Sequence, residues 1–131
     1  VKTAAPSEVS VPLEFYKVLH LTSLFWMFAS FGGLVVHVLN GGTRDNNGAR
    51  KLLAISHGVA LLLVFVSGFG MHAKLQLAGF PLWFLAKIVL WLALGGLFVL
   101  PYRMPQASRG LFFALPVLGA VGAWLALYKP F

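Results

Sequence analysis

This chain has 131 residues, of which 60% are hydrophobic and only 10% charged. A soluble domain carries about 25% charged residues, so this set cannot build a water-facing surface, and the mean hydropathy of +0.88 points to lipid. The net charge of +7 comes from basic residues scattered over loops and span ends, which excludes a nucleic-acid stripe, and the lack of cysteine excludes disulfides, thiolate metal sites and thiol catalysis.

In chain order, Val1–Glu14 is polar and carries Pro6 and Pro12; it reads as an extended arm outside the membrane, without the apolar core of a signal peptide. Four apolar stretches follow, at Phe15–Leu39, Leu52–Leu75, Leu82–Leu100 and Leu111–Leu127. A helix rises about 1.5 Å per residue, so ~20 apolar residues cross the hydrocarbon of a bilayer, and each stretch is close to or above that length. The first ends at Asn40-Gly41-Gly42, and the polar loop Thr43–Gly48 leads into the second. Gly79-Phe80-Pro81 makes a tight turn, with Pro81 suited to the first turn of span three. Pro101 and Pro105 are expected to stop span three, and Pro116 to kink span four. Short connections make sequence neighbours antiparallel. The expected fold is all-α, an integral membrane up-down four-helix bundle over residues 15–131.

Loop charge suggests the orientation. Arg44, Arg50, Lys51, Arg103 and Arg109 lie in or beside loops one and three, against Lys2, Lys17, Lys74 and Lys129 on the other side. By the positive-inside rule, loops one and three are expected to be cytoplasmic and both termini external, in a bacterial inner membrane. Tyr16, Trp83, Trp124 and Tyr128 on one side and Tyr102 on the other fit interfacial belts. Small residues such as Ala29 with Gly33, and Gly119 with Ala123, share helix faces and mark close packing.

Polar groups inside the spans are where function is expected, because burying them in lipid is costly. His20, His72 and Lys87 fall at matching depth near one membrane face, on spans one, two and three. His37 and His57 match one another in the opposite leaflet. Imidazole is a neutral nitrogen donor that haem iron takes readily, so histidines paired by depth point to axial ligation between helices. At about 100° per residue, His57 and His72 share a broad face of span two, whereas His20 and His37 do not share a narrow one of span one. One haem is therefore easier than two, with His20, His72 and Lys87 as its group and His37 with His57 as a second candidate pair. Lys17 and Lys74 are placed to meet haem propionates near the headgroups. No span carries Asp or Glu, no Ser-His-Asp set is evident, and no catalytic residue is assigned.

The segment Tyr16-Lys17-Val18-Leu19-His20, with Trp26 and Phe31-Gly32-Gly33-Leu34, resembles the first span of HemJ-type protoporphyrinogen oxidases. Trp83-Phe84-Leu85-Ala86-Lys87-Ile88-Val89-Leu90 is similar to the Trp-Leu-x-x-Lys-Leu pattern of their third span. The same features, with Ser56-His57-Gly58 and Ser67-Gly68, resemble the small SirB-like membrane family and, more distantly, CopD-like copper-resistance domains. The likeness covers about residues 16–100. It implies a b-type haem with His20 as a ligand and Lys87 as its partner or a propionate contact. The Pro-Arg pair that HemJ proteins carry late in span one is absent here.

The leading expectation is a haem b protein of membrane electron transfer or porphyrin redox chemistry. Its rivals are a non-catalytic accessory subunit packed in a larger membrane complex, and a copper site using the histidines with Met27 or Met71. The expected partners are the lipid bilayer and no nucleic acid, with other complex subunits and quinone left open.

Overall fold

The four serines of the first two spans are all buried, and three of them return their proton to the backbone. Helix α1 runs Leu13–Leu39 and α2 runs Arg50–Lys74, in a computed structural model that describes residues 10–131. On α1 the buried positions are Ser23, Met27, Ser30, Phe31, Leu34, Val35 and Val38; on α2 they are Ser56, His57, Ala60, Val64 and Ser67. Both sets repeat at the helical period, so each helix has one inward stripe. Ser23, Ser30 and Ser67 donate to the carbonyls of Leu19, Trp26 and Leu63 four residues back, at 2.7, 2.9 and 2.6 Å. That bond satisfies the hydroxyl without a partner from the neighbouring helix. The α1–α2 contact is the most extensive in the bundle.

The end of α1 follows from Asn40-Gly41-Gly42. Gly41 is left-handed at φ +84, and its N–H bonds Val38 O at 2.9 Å while Gly42 N–H bonds His37 O at 3.0 Å. This pair of bonds is a Schellman close, which needs a residue free of the Cβ penalty at Gly41.

Span three is less regular than its apolar run suggests. Helix α3 covers Leu82–Gly96, a 3₁₀ turn covers Leu97–Val99, and α4 covers Leu100–Arg103. Pro81 caps α3 from the N-cap position, one residue outside the first turn. Pro101 does not stop the span: it is buried within α4, and the helix has already tightened ahead of it. The missing N–H of Pro101 removes one bond. The chain leaves the helical path at Met104, whose ψ of 75 reflects the extended bias of a residue before proline. A second 3₁₀ turn, Pro105–Ala107, leads into α5 at Ser108–Tyr128, which holds Pro116 within one continuous helix.

Leu82–Arg103 and Pro105–Tyr128 join α1 and α2 as four helical segments long and apolar enough to cross a membrane. Their outer faces are as apolar as the interior: Phe25 is 71% exposed, Val89 64% and Val117 61%. Such a surface is stable only in lipid. The protein is an all-α four-helix bundle of the integral membrane class. Around the bundle, α1 touches α2 and α5, while α3 touches α5 and, more sparsely, α2. The core joins Met27, Phe31 and Val35 of α1 with Ala60, Leu94, Leu111 and Leu115.

The sparse α2–α3 seam is bridged by the Trp91 indole N–H, which donates to Leu61 O at 2.8 Å. Interhelical bonds in bilayers average about 0.6 kcal/mol. Trp91→Phe is expected to lose roughly that ~0.6 kcal/mol, measured by steric trapping or by unfolding in mixed micelles.

Candidate functional site

The sparse seam and a stripe of small residues on α5 leave a cavity of about 570 Å³ at one end of the bundle. All four spans line it. On α1 the lining runs from Lys17 to Phe28, eleven residues or about 16 Å along the axis, roughly half the hydrocarbon depth. Gly119, Gly122, Ala123 and Ala126 form its α5 wall, at helical spacing. A Cβ built on Gly122 would lie 3.1 Å from Leu90, and one on Gly119 3.4 Å from Phe28. Larger residues there would have to take space from the cavity or from the α1 and α3 walls.

His20, His72 and Lys87 all line this cavity. The His20 ring is held from α2: Nδ1 lies 2.9 Å from Ser67 Oγ and 3.1 Å from Val64 O. The Ser67 hydroxyl donates its own proton to Leu63 O, so it can only accept from His20, as can the Val64 carbonyl. Nδ1 therefore carries the ring proton, and Nε2 keeps its lone pair with no hydrogen-bond partner among the described residues. A metal-ligating histidine is oriented in this way, its second nitrogen donating to a fixed acceptor. Gly68 lies against the ring, where an added Cβ would sit at ordinary contact distance, 3.5 Å from His20 Cε1.

His72 is arranged differently. Its Nε2 donates to Gly79 O at 2.7 Å, closing the α2–α3 turn, while Nδ1 is buried without a partner. The ring stacks on Phe80 at 5.2 Å and 15°, and tilts against Phe84 at 4.4 Å. Lys87, one turn into α3, lies within electrostatic reach of His20 and of Lys129.

The mouth of the cavity is cationic. Lys17 and Lys129 line it with Lys87, and Glu14, in the first turn of α1, is the one described acid at that end. Lys129 was not among the expected propionate contacts. It enters because its backbone is left-handed at φ 46, which turns the ammonium back to Ala126 O at 2.7 Å and over the Trp83 ring at 5.3 Å. Trp83 is correspondingly buried rather than exposed as an interfacial anchor. Lys74 is directed elsewhere, to Ser10 Oγ at 2.5 Å, and does not line the cavity.

His37 and His57 do not line this cavity, and no hydrogen bond joins them among the described residues. His37 Nε2 donates to Thr43 O at 2.8 Å, and its ring covers Gly42 so closely that a Cβ there would overlap it. It serves as a clasp for loop one. His57 is 4% exposed, stacked on Phe98 at 4.0 Å and edge-on to Phe31 at 5.7 Å, with Nε2 buried and unpartnered. The second haem pair expected from depth alone thus has two separate surroundings. Facing positions on α1 and α2 do not make the rings face one another.

Among the described residues, no group of three or more His, Asp or Glu side chains comes together to hold a bare metal ion. The cavity instead offers one presented imidazole nitrogen, apolar walls and cations at its rim. Its volume falls within the ~300–1,000 Å³ of small-molecule and cofactor sites. A flat apolar group with acidic substituents fits that description, and the buried orphan Nδ1 of His72 and the glycine-built α5 wall agree with it. Comparison with protein-family models, curated proteins and solved structures finds no match for this chain.

Proposed function

We propose that this membrane protein binds a b-type haem in the cavity between its four spans and takes part in membrane redox chemistry. The observation that carries the reading is His20, whose Nδ1 is fixed by Ser67 and Val64 while Nε2 is left to the cavity. Bound haem supplies a one-electron iron couple whose potential depends on its ligands and on burial. In this reading His20 Nε2 would hold the haem iron, and Lys87, which lines the same cavity from α3, would offer a second nitrogen donor. His72, with Nε2 occupied by the Gly79 carbonyl, acts as wall and turn clasp. Lys17 and Lys129 meet the carboxylates at the rim, where the desolvation cost of an ion pair is smaller than at depth. The apolar walls would keep water from a bound iron and favour its less charged reduced state.

The resemblance of the His20 and Lys87 segments to the HemJ-type and SirB-like families agrees with this assignment. The test is an absorption spectrum, oxidised and reduced, of protein from its native membrane and after haemin titration. A Soret band that saturates at one haem per chain supports the proposal. Protein that is colourless as isolated, and leaves the spectrum of added haemin unchanged, overturns it.

A second measurement tests the cavity itself. Gly122→Leu is expected to lower haem affinity roughly tenfold or more, because overpacking an occupied space costs about 1–3 kcal/mol. Gly96→Leu, where a Cβ meets nothing within 4 Å, is expected to leave the titration unchanged.

A further inference from the structure

At the opposite end of the bundle, loop one and the start of α2 meet the α3–α4 segment around a second hollow of about 360 Å³. Its rim holds Arg44, Arg50 and Lys51 with Tyr102, and its floor includes Leu53 and Val99. None of these side chains is used by the haem proposal.

Charge at this hollow is one-sided. The chain has three acidic residues: Glu8 lies outside the described residues, Glu14 is at the far end of α1, and Asp45 alone is in loop one. Against that one carboxylate stand the three cations that line the hollow, with Arg103 ending α4 and Arg109 in the first turn of α5. Like charges gathered around one hollow repel one another unless an anion joins them.

Tyr102 adds direction. Its hydroxyl accepts a hydrogen bond from Asn47 Nδ2 at 2.8 Å, and Asn47 is itself fixed because its Oδ1 accepts the Ala49 N–H at 3.0 Å. Asn47 is buried to 9% exposure, so this anchor is held inside the structure. With one lone pair committed, the phenol has its own O–H left to donate. Two guanidinium groups, an ammonium and a phenolic donor make a set suited to phosphate oxygens.

Depth identifies the source of the phosphate. The hollow sits at a span boundary, where α2 begins and span three ends, which is headgroup level. Val99, which lines it, is 50% exposed, and Leu52, next in sequence to the lining residues Lys51 and Leu53, is 67% exposed. An acyl chain leaving a bound headgroup would therefore lie along apolar helix surface. Basic pockets between spans take acidic lipid headgroups by this combination. We propose that Arg44, Arg50, Lys51 and Tyr102 form a binding site for the phosphate of an anionic phospholipid.

Native mass spectrometry of the full chain in detergent, titrated with phosphatidylglycerol or phosphatidylcholine, tests this. Phosphatidylglycerol is expected to bind roughly tenfold more tightly than phosphatidylcholine, through the rim cations. The triple variant Arg44→Gln, Arg50→Gln, Lys51→Gln should lose that preference, and Tyr102→Phe should weaken it severalfold. The control Lys17→Gln with Lys129→Gln, at the other mouth, should retain it. Circular dichroism of each variant, and retention by the charge-conserving pair Arg44→Lys and Arg50→Lys, separate a lost site from a lost fold. Equal binding of the two lipids, or a preference that survives in the triple variant, overturns the proposal. So does equal occupancy by millimolar glycerol phosphate, which would make the ligand a soluble phosphate.

Discussion

His20→Ala protein titrated with haemin is expected to give no Soret band at concentrations that saturate the wild-type chain. The expectation rests on geometry particular to this ring. Nδ1 is bound to Ser67 Oγ and Val64 O, so the ring is already oriented and its Nε2 has no conformational freedom to lose on ligation. Ser67→Ala keeps the ligand but removes one of the two acceptors that hold it. Losing such an outer partner typically costs ~10–100-fold in metal affinity, and a comparable fall is expected in the haemin titration. His72→Phe is expected to retain the Soret band, because His20 alone supplies a presented imidazole nitrogen; loss of the band would make the unpartnered Nδ1 of His72 the ligand instead. Lys87→Met should keep the haem while shifting the reduced spectrum, since the second donor that Lys87 would offer changes from nitrogen to sulfur. If His72→Phe abolishes binding and Lys87→Met leaves the spectrum unaltered, the ligand assignment is reversed.

Phe31→Ala is expected to be the most destabilising single truncation. Phe31 is fully buried at 0% exposure, and its ring meets Phe98 edge-on at 5.4 Å and His57 at 5.7 Å. It joins α1 to α2 and to span three, so its removal opens a void within the core cluster. In a water-soluble core a buried Phe→Ala costs about 3–5 kcal/mol, from transfer and cavity terms together. In a bilayer the transfer term shrinks, because lipid chains solvate a phenyl ring nearly as well as the core does. The lost packing remains, and a loss of ~2 kcal/mol is expected. Steric trapping in bicelles measures it. Phe25→Ala, at 71% exposure on the lipid side, should change stability by a few tenths of that, and equal effects at the two positions would contradict this account of the core.

Some of the site was legible before any coordinates. The depth match of His20, His72 and Lys87 follows from counting residues at a fixed rise along antiparallel spans, and all three line one cavity. The α5 wall was half visible, since Gly119 and Ala123 mark one face and Gly122 and Ala126 continue it. Three things were not legible. Ser67 has no signal linking it to His20, 47 residues away, because that bond depends on how α1 and α2 are rotated about their axes. Lys129 reached the mouth through a left-handed residue at the end of α5, a conformation set by the local chain reversal and unfavourable for a lysine on intrinsic grounds. His37 and His57 shared a depth but not a surrounding, since depth leaves the azimuth free.

From the sequence alone came the class and the number of spans, whereas their limits differ by up to several residues, most where span three runs on to Arg103 and span four begins before Leu111. A bilayer tests each segment separately: about 20 apolar residues satisfy it wherever they occur, and backbone bonding inside each helix does not wait for neighbours. The packing decided which faces of those helices meet, and so which nitrogen of His20 is left over, which lysines reach the rim and where two hollows remain. Lipid gives little preference among helix rotations, because it is as apolar as the side chains it replaces. That choice fell to close contacts, small residues and a few interhelical hydrogen bonds, and these exist only once the four helices are together.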